Sequence, residues 1–461
     1  MRVSFLPLAV GCLLSAVFGQ WLETTIYLPD SLGGLATPRC MTYNSTDNTV
    51  YVGGEAGDCV VAIDGATNEK IARIPTGSNV YALCYNWRNN KVYSADYHGD
   101  NVTVIDGATN TVIATVAADD GPYALCYNPQ DNKVYCANLV GRNVTVIDGA
   151  TNKVIATVAA GDNPWVLCYN SRDNKVYCAN LETDDVTVID GATNQVVATV
   201  HSGDHPWALC YNSQDNKVCC ANHLGRNVTV IDGASDSVVA TVTVGDGPQA
   251  LCYNPQHNRV YCANAYGDDV AVIDGATNQL VAILTAGDLP RALGYDPQND
   301  KVYCANYNSD DVTVIDGATG GVLFTIGVGT CPIDFCYNPV QNRIYVANNA
   351  SSTVSVIRDS VQVGAGEGFT PDAKRLTPNA TIVRGVLELK ACGTRHTAYG
   401  AGLFDMTGRQ VMELHPGAND VSRLAQGVYF VREQSAFSSQ HSGQSAVGGI
   451  RLAVTKVIIS K

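Results

Sequence analysis

Basic residues are scarce in this chain of 461 residues, which has 29 lysines and arginines against 43 aspartates and glutamates and a net charge of −14. No run of lysine or arginine interrupts this acidic excess. Because nucleic acids and anionic membranes are bound through clustered positive charge, we expect neither as a partner. Beyond the amino-terminal residues, no apolar stretch is long enough to span a bilayer, so we expect no transmembrane segment.

Motifs that hold metals are also missing. The chain has no C-x-x-C pair, no H-E-x-x-H and no spacing like that of an EF-hand. His205 and His223 fall in the same repeat, with His98 three repeats away, and we interpret them as loop histidines. The sequence therefore predicts no metal and no cofactor.

The amino terminus has the pattern of a signal peptide. Arg2 precedes an apolar run from Phe5 to Val17, and the small Gly19 comes shortly after it. We predict that residues 1–19 are a signal peptide and that the chain is exported.

A repeat of 42 residues dominates the chain from there to residue 358. The dipeptide Tyr-Asn, once Tyr-Asp, returns at this spacing without a slip, at Tyr43, Tyr85, Tyr127, Tyr169, Tyr211, Tyr253, Tyr295 and Tyr337. A fixed period of this size indicates stacked copies of one supersecondary unit.

One copy, residues 122–162, contains four short apolar runs. They are residues 123–127, 133–137, 144–147 and 154–158, and turns rich in Asn, Asp and Gly separate them. No helical period is present, so each run is predicted to be a strand. A four-stranded sheet of about 42 residues repeated in tandem is typical of a β-propeller blade.

The two ends of the array determine the number of blades. Residues 23–358 number 336, which is eight times 42, and the fourth strand missing from the last copy is available at Thr24–Leu28. We predict an all-β, eight-bladed propeller over residues 20–358, closed by this segment, which removes an open sheet edge. A seven-bladed ring with one irregular copy is the alternative.

These repeats resemble a known family. Val-Tyr-Cys-Ala-Asn, Val-Thr-Val-Ile-Asp-Gly-Ala-Thr-Asn and Gly-Asp-x-Pro are similar to the YVTN β-propeller repeats over residues 23–358. The resemblance implies an exported or surface protein, and it leaves the function open because propellers host both binding and catalysis.

The eight copies differ mainly at one end of the blade. The turns between strands one and two and between strands three and four, such as 128–132 and 148–152, barely change, and we call their side the uniform face. The connections between strands two and three and between blades vary, and we call their side the variable face. Variable loops on a rigid scaffold are where specificity usually lies, so we predict a site there.

One ring of positions on the variable face stands out. The residues that begin strand one, here called the mouth ring, are Arg39, Tyr81, Tyr123, Trp165, Trp207, Gln249, Arg291 and Ile333. An acidic rim precedes them at Asp120, Asp162, Asp204, Asp246 and Asp288. An arc of aromatic faces beside carboxylates suits a sugar, a peptide or a cation. Alternatively, the rings pack between blades and the aspartates cap turns.

The 17 cysteines mostly follow the repeat. Four blades hold one cysteine in strand one and another in strand two, but other blades replace a single member with a small residue. Cys84, for example, accompanies Ser94. We therefore expect that the positions require small volume, with disulfides within a blade as the alternative in an exported protein.

After residue 358 the period ends. Residues 359–378 have the composition of a linker, and residues 379–461 contain strand patterns that suggest a small Ig-like β-sandwich. The segments 403–411, 424–431 and 456–461 resemble the type A carboxyl-terminal sorting domain of the type IX secretion system. The resemblance implies delivery across the outer membrane by that export machinery, to the cell surface or the medium.

Three functions fit the sequence. The first is a monomeric binding scaffold for an extracellular glycan, peptide or protein, with no catalytic residues. The second is a hydrolase or lyase, similar to a lactonase, at the channel mouth, for which the candidates are His205, His223, Asp204 and Asp162. The third is a structural surface-layer or adhesion element. Near-identical blades argue mildly against catalysis, because an active site needs blades that differ.

Overall fold

The structure is a computed structural model that describes residues 20–30, 34–359 and seven strands after residue 380. Contacts divide the chain into two units, Met1–Gln362 and Val363–Lys461, which are described separately. The predicted signal peptide and nearly all of the predicted linker lie outside the described residues. Within the described part, no helix is long and apolar enough to cross a membrane.

The first unit consists of short strands with one turn of 3-10 helix at Tyr97–Gly99. Strand β1 is Trp21–Tyr27. The strands of the first four blades are β2–β5 (Ala36–Asn44, Thr49–Ala56, Cys59–Asp64, Lys70–Pro75), β6–β9 (Val80–Asn86, Lys91–Asp96, Asn101–Asp106, Thr111–Ala117), β10–β13 (Pro122–Asn128, Lys133–Asn138, Asn143–Asp148, Lys153–Ala159) and β14–β17 (Pro164–Asn170, Lys175–Asn180, Asp185–Asp190, Val196–His201). Those of the last four are β18–β21 (Pro206–Asn212, Lys217–Asn222, Asn227–Asp232, Ser237–Thr243), β22–β25 (Pro248–Asn254, Arg259–Asn264, Asp269–Asp274, Leu280–Thr285), β26–β29 (Pro290–Asp296, Lys301–Asn306, Asp311–Asp316, Val322–Gly327) and β30–β32 (Pro332–Asn338, Arg343–Asn348, Thr353–Arg358).

These strands form eight antiparallel sheets of four, which confirms the eight-bladed propeller; the seven-bladed alternative is wrong. Seven sheets follow chain order, and the eighth has the order β1-β32-β31-β30, so the amino-terminal strand is the outer strand of the last blade as predicted. The first strands of neighbouring blades contact each other around the whole ring, from β2 and β6 to β30 and β2. They therefore line the central channel.

The recurring asparagine after each strand-one tyrosine organises the uniform face. Asn128 is fully buried, and its Oδ1 accepts hydrogen bonds from the backbone N–H groups of Gln130 and Asp131, which closes the turn. Its Nδ2 donates to Oδ1 of Asn174 in the next blade at 2.9 Å. The same bond recurs around the ring. The exception is blade seven, where Asp296 replaces the asparagine and Asn299 donates to Asn342 instead.

A second set of bonds joins strand two of each blade to the turn between strands three and four of the next. Lys133 Nζ donates to the carbonyl oxygens of Gly191 and Ala192 at 2.5 and 3.0 Å, and Tyr135 donates to Gly191 at 3.3 Å. A Cβ at Gly191 would lie 2.5 Å from Oδ1 of Asn174, so this close approach requires glycine. The uniform motifs are therefore architectural.

The cysteines of one blade face different neighbours. In β10 and β11, Leu125 pairs with Cys136 and Cys126 pairs with Tyr135, so the two thiols point to opposite sides of the sheet. Cys126 packs in the core shared with the following blade and Cys136 in the core shared with the preceding one. This register rules out the alternative of disulfides within a blade, and no disulfide joins any of the 15 cysteines among the described residues.

The second unit is described by its backbone alone. Its strands are β33–β39 (Thr381–Val383, Val386–Leu389, Ala398–Phe404, Gln410–Leu414, Gly417–Asp420, Gly427–Phe437 and Gly449–Ile459). Five form a sheet of order β33-β39-β38-β35-β36, and β34 pairs with β37. The β-strand content agrees with the sequence, and the sandwich arrangement stays a prediction.

The contact that closes the ring offers a test. Arg343 and Glu23 form a nearly buried two-pronged ion pair, with Nε–Oε2 and Nη2–Oε1 distances of 2.7 and 2.6 Å. We predict that Glu23→Gln lowers the free energy of unfolding by about 3 kcal/mol, because it leaves the buried Arg343 without its counter-ion. Urea unfolding of the full-length chain would measure the change.

The matched control is Glu69→Gln, because the Glu69 side chain is exposed, and this change should alter the free energy of unfolding by less than about 0.5 kcal/mol.

Deletion of residues 20–30 removes β1 and should lower the melting temperature and cause aggregation, because β32 becomes an open edge. Equal stabilities for the two glutamate variants, or an unchanged melting temperature for the deletion, would contradict this account of closure.

Candidate functional site

The mouth ring is placed by a repeated backbone turn. In every blade the residue two positions before the mouth-ring residue has a positive φ, from 50° to 69°, at Thr37, Asn79, Gly121, Asn163, His205, Gly247, Leu289 and Cys331. In blades two to eight its carbonyl accepts a hydrogen bond from the first residue of the loop between strands two and three, as in His223 N to His205 O at 2.8 Å. These bonds tie the two variable connections together and hold the mouth ring in place.

The four aromatic residues of the mouth ring form one continuous stack, which we call the aromatic arc. The ring centroids are 5.0 Å apart between Tyr81 and Tyr123, 4.3 Å between Tyr123 and Trp165, and 4.6 Å between Trp165 and Trp207. The planes are tilted by 34° to 52°, and all four side chains are half-buried. The rings thus pack against each other across blades, as the structural interpretation expected, and still keep part of their surface open.

Arg39 begins the arc on the neighbouring blade. Its guanidinium lies 4.2 Å from the centre of the Tyr81 ring, donates to the Tyr123 hydroxyl at 2.9 Å and pairs with Glu55 at 2.6 Å. Burial raises the pKa of Tyr123 to about 12 although Arg39 opposes this shift, so the phenol stays neutral at pH 7. Arg39 is therefore fixed by three partners.

The arc extends to residues that sequence reasoning did not place in the ring. His223 lies 4.9 Å from Trp207, Tyr266 lies 5.3 Å from His223, and Tyr97 lies 4.9 Å from Tyr81. Tyr97 and His223 both occupy the first position of the loop between strands two and three, and so does Tyr307. A comparison of that position with the mouth-ring residue of the same blade could have revealed these pairs.

Gln249, Arg291 and Ile333 complete the ring, and all three are half-buried. The Arg291 guanidinium stacks on Tyr307 at 4.7 Å from the ring centre. The mouth is thus asymmetric, with aromatic side chains from blades two to five and polar or aliphatic side chains from the others.

The aspartates of the acidic rim form hydrogen bonds and ion pairs with the loops of the variable face. The backbone carbonyls of its aspartates accept hydrogen bonds from the loop between strands two and three, as in Val140 N to Asp120 O. The Asp162 carboxylate pairs with Arg142 at 3.2 Å, and that of Asp246 pairs with Arg226 at 3.1 Å. Asp120, Asp204 and Asp288 are exposed. These contacts agree with a role in the turns.

The histidines have distinct surroundings. His223 is only 8% exposed, burial lowers its pKa, and its Nδ1 has no hydrogen-bond partner within the described residues. His205 donates its backbone N–H to Asp184. No hydrogen bond joins the side chains of the four catalytic candidates, His205, His223, Asp204 and Asp162, and the described residues contain no group of three His, Cys, Asp or Glu that could hold a metal.

An open groove of about 340 Å³ lies beside the end of the arc. Its lining residues come from the loops of blades six and seven and are Ala265, Tyr266, Asp268, Asp288, Leu289 and Asn308. Tyr266 is 63% exposed, so the aromatic stack continues from the mouth to the edge of this groove.

A half-buried carboxyl lies on the innermost strand of blade eight. Asp334 occupies the position of Ala124 and Ala292 in other blades, and its Oδ2 accepts the Met41 N–H at 2.7 Å. Burial raises the pKa of Asp334 to about 7. Since this exceeds its ordinary value of 3.8, the unfolded chain loses the proton first and stability falls as the pH rises through this window.

We predict that Asp334→Asn melts higher than the wild type at pH 8 and that the difference shrinks toward pH 4. The amide keeps an acceptor for Met41 and cannot ionise. Thermal unfolding of the full-length chain across this pH range would measure the effect, with the exposed Asp288→Asn as control. A difference that does not vary with pH would contradict the prediction.

Comparison with known proteins supports the fold. Residues 21–221 match the model of a family described as YNCE-like beta-propeller, which supports the propeller repeats that the motifs indicated. Among solved structures, hydrazine synthase from Kuenenia stuttgartiensis is similar with 17% identity and a TM-score of 0.52, over 72% of this chain and 97% of that chain. At this identity the likeness shows the fold alone. No curated protein matches the chain.

Proposed function

We propose that this eight-bladed β-propeller is a binding scaffold that holds a glycan, peptide or protein ligand on its variable face. The observation that carries the proposal is the unbroken chain of side chains from Arg39 through the aromatic arc to His223 and Tyr266. Large, rigid rings with a few polar groups among them are typical of ligand sites.

The rigidity of the mouth favours binding. Arg39 is fixed by Glu55, Tyr81 and Tyr123, and each ring of the arc is held by its neighbours, so little conformational freedom is lost when a ligand arrives. The variable loops surround this rigid centre and supply the differences that specificity needs.

The catalytic candidates named from the sequence support an enzymatic function less well. A general base needs an available lone pair within hydrogen-bond reach of the substrate proton that it abstracts. The Asp162 carboxylate instead pairs with Arg142, and the His223 ring lies between Trp207 and Tyr266. The arrangement thus favours a scaffold over a hydrolase or lyase.

We predict that the double change Trp165→Ala and Trp207→Ala weakens ligand binding at least about tenfold, because it removes the centre of the arc. A glycan and peptide array screen of the full-length chain would identify a ligand, and calorimetry would then compare the variants. Melting curves would confirm that the double variant folds.

Trp87→Ala is the matched control. Trp87 lies in a turn of the uniform face, is 57% exposed and contacts Tyr127 edge-on at 6.3 Å. Its loss should leave affinity unchanged. Binding that survives the double change, or that falls equally with Trp87→Ala, would remove the aromatic arc from consideration.

We further propose that the protein is exported to the cell surface or the medium, through the signal-peptide pattern of residues 1–19 and the sorting-domain motifs of residues 379–461. Support comes from the sequence motifs. Deletion of residues 379–461 is predicted to leave the propeller folded and to abolish its delivery, measured by fractionation of the native host. Normal delivery of the truncated chain would refute the sorting role.

A further inference from the structure

The two arginines of the mouth ring differ in how their charge is balanced. Arg39 pairs with Glu55, whereas Arg291 stacks on Tyr307 and hydrogen-bonds to its side chain. Among residues 20–30 and 34–359, no carboxylate lies within 4.0 Å of the Arg291 guanidinium. Arg291 is therefore an uncompensated, half-buried cation in a chain whose net charge is −14. A guanidinium has five N–H donors, so Arg291 can bond to Tyr307 and still offer N–H groups to a planar anion.

Polar groups gather on the same side of the mouth. Around the ring, Trp207, Gln249 and Arg291 belong to the consecutive blades five, six and seven. The His223 ring lies between Trp207 and Tyr266, and its nearly buried Nδ1 has no partner within the part of the chain described. Because that nitrogen is sealed from solvent, His223 supports Trp207 by packing, whereas the half-buried Trp207 and Gln249 keep surface that a ligand can contact.

The positive charge of Arg291 influences the pKa values of groups on both sides of the mouth. Its blade stands four places from that of Tyr123, which is directly across an eight-bladed ring. Burial raises the pKa of Tyr123 to about 12, and Arg39 and Arg291 both oppose the shift. Burial lowers the pKa of His223, a hydrogen bond with the Pro248 backbone opposes this shift, and the charges of His205 and Arg291 act in the same direction as burial.

We infer that the ligand of the variable face is an acidic saccharide, a sugar chain that carries carboxylate groups. The carboxylate pairs with Arg291, sugar hydroxyls bond to Gln249, and a sugar ring contacts Trp207. This inference rests on the proposed binding function and names its ligand class. A polyhydroxylated acid matches a cation and an amide beside an aromatic surface better than an apolar peptide would.

The neighbouring carboxylates limit where the anion can lie. Asp268 and Asp288 line the groove beside Tyr266, and Asp288 precedes Arg291 by three residues. Like charges repel, so the carboxylate of the ligand is confined to the mouth itself and excluded from the groove.

The test compares a galacturonic-acid oligosaccharide with its carboxyl-reduced, neutral counterpart, by calorimetry on the full-length chain. Arg291→Gln should weaken the acidic probe by about 10- to 100-fold, the range for a charge-assisted pair, and leave the neutral probe within about twofold. Arg291→Lys keeps the charge without the planar fork and should fall between. Arg226→Gln is the control, because Arg226 is exposed on the same face and already paired with Asp246.

Each outcome is decisive. Binding of the acidic probe that is equal in the wild type and both Arg291 variants overturns the inference and leaves the proposed function standing, provided that the tryptophan variant still loses affinity. Failure of both saccharides while an acidic peptide binds overturns the saccharide class alone. Failure of every array ligand overturns the proposed function with it. Should Arg291→Gln not fold, Arg291→Lys supplies the comparison.

Discussion

The hydrogen bonds that join each blade to the next on the uniform face are the constraint on which the structure depends. A lysine and a tyrosine of strand two donate hydrogen bonds to the turn between strands three and four of the following blade. Two hydrogen-bonded asparagines, one from each blade, pack directly against the glycine of that turn. These buried polar groups satisfy one another only when successive sheets stand at a fixed distance. Equal spacing repeated eight times brings the last blade back to the first.

The junctions beside the last blade show how the constraint is kept where the motif decays. Blade eight has Asp359 in place of the turn glycine, and Lys301 and Tyr303 bond to its carboxylate at 2.8 Å. At the next junction Arg343 replaces lysine, donates to the carbonyl of Gly65 and also pairs with Glu23 of the closing strand. Both substitutions preserve the contact between blades, and the second adds a bond to the amino-terminal strand.

Because the uniform face and the interblade cores hold the ring, the variable face is free to differ from blade to blade. A positive φ two positions before the mouth-ring residue recurs in all eight copies, so a change of side chain at the mouth ring alters the mouth without altering the scaffold. Aromatic residues in four consecutive blades then become neighbours and stack. An almost symmetric fold acquires a one-sided site in this way.

The period of 42 residues determined the blade, the count of eight, the closing strand and the two faces, because each follows from local strand and turn patterns repeated at fixed spacing. The residues of the mouth ring could also be identified from the sequence, because they occupy one position of the repeat. Tertiary structure alone decided that Arg39 reaches Tyr123 two blades away and that His223 enters the stack. It also decided that desolvation raises the pKa of Asp334 and that Arg291 has no carboxylate partner among residues 20–30 and 34–359. These contacts cross between blades, and they depend on the curvature of the ring and on side-chain conformations that no spacing along the chain encodes.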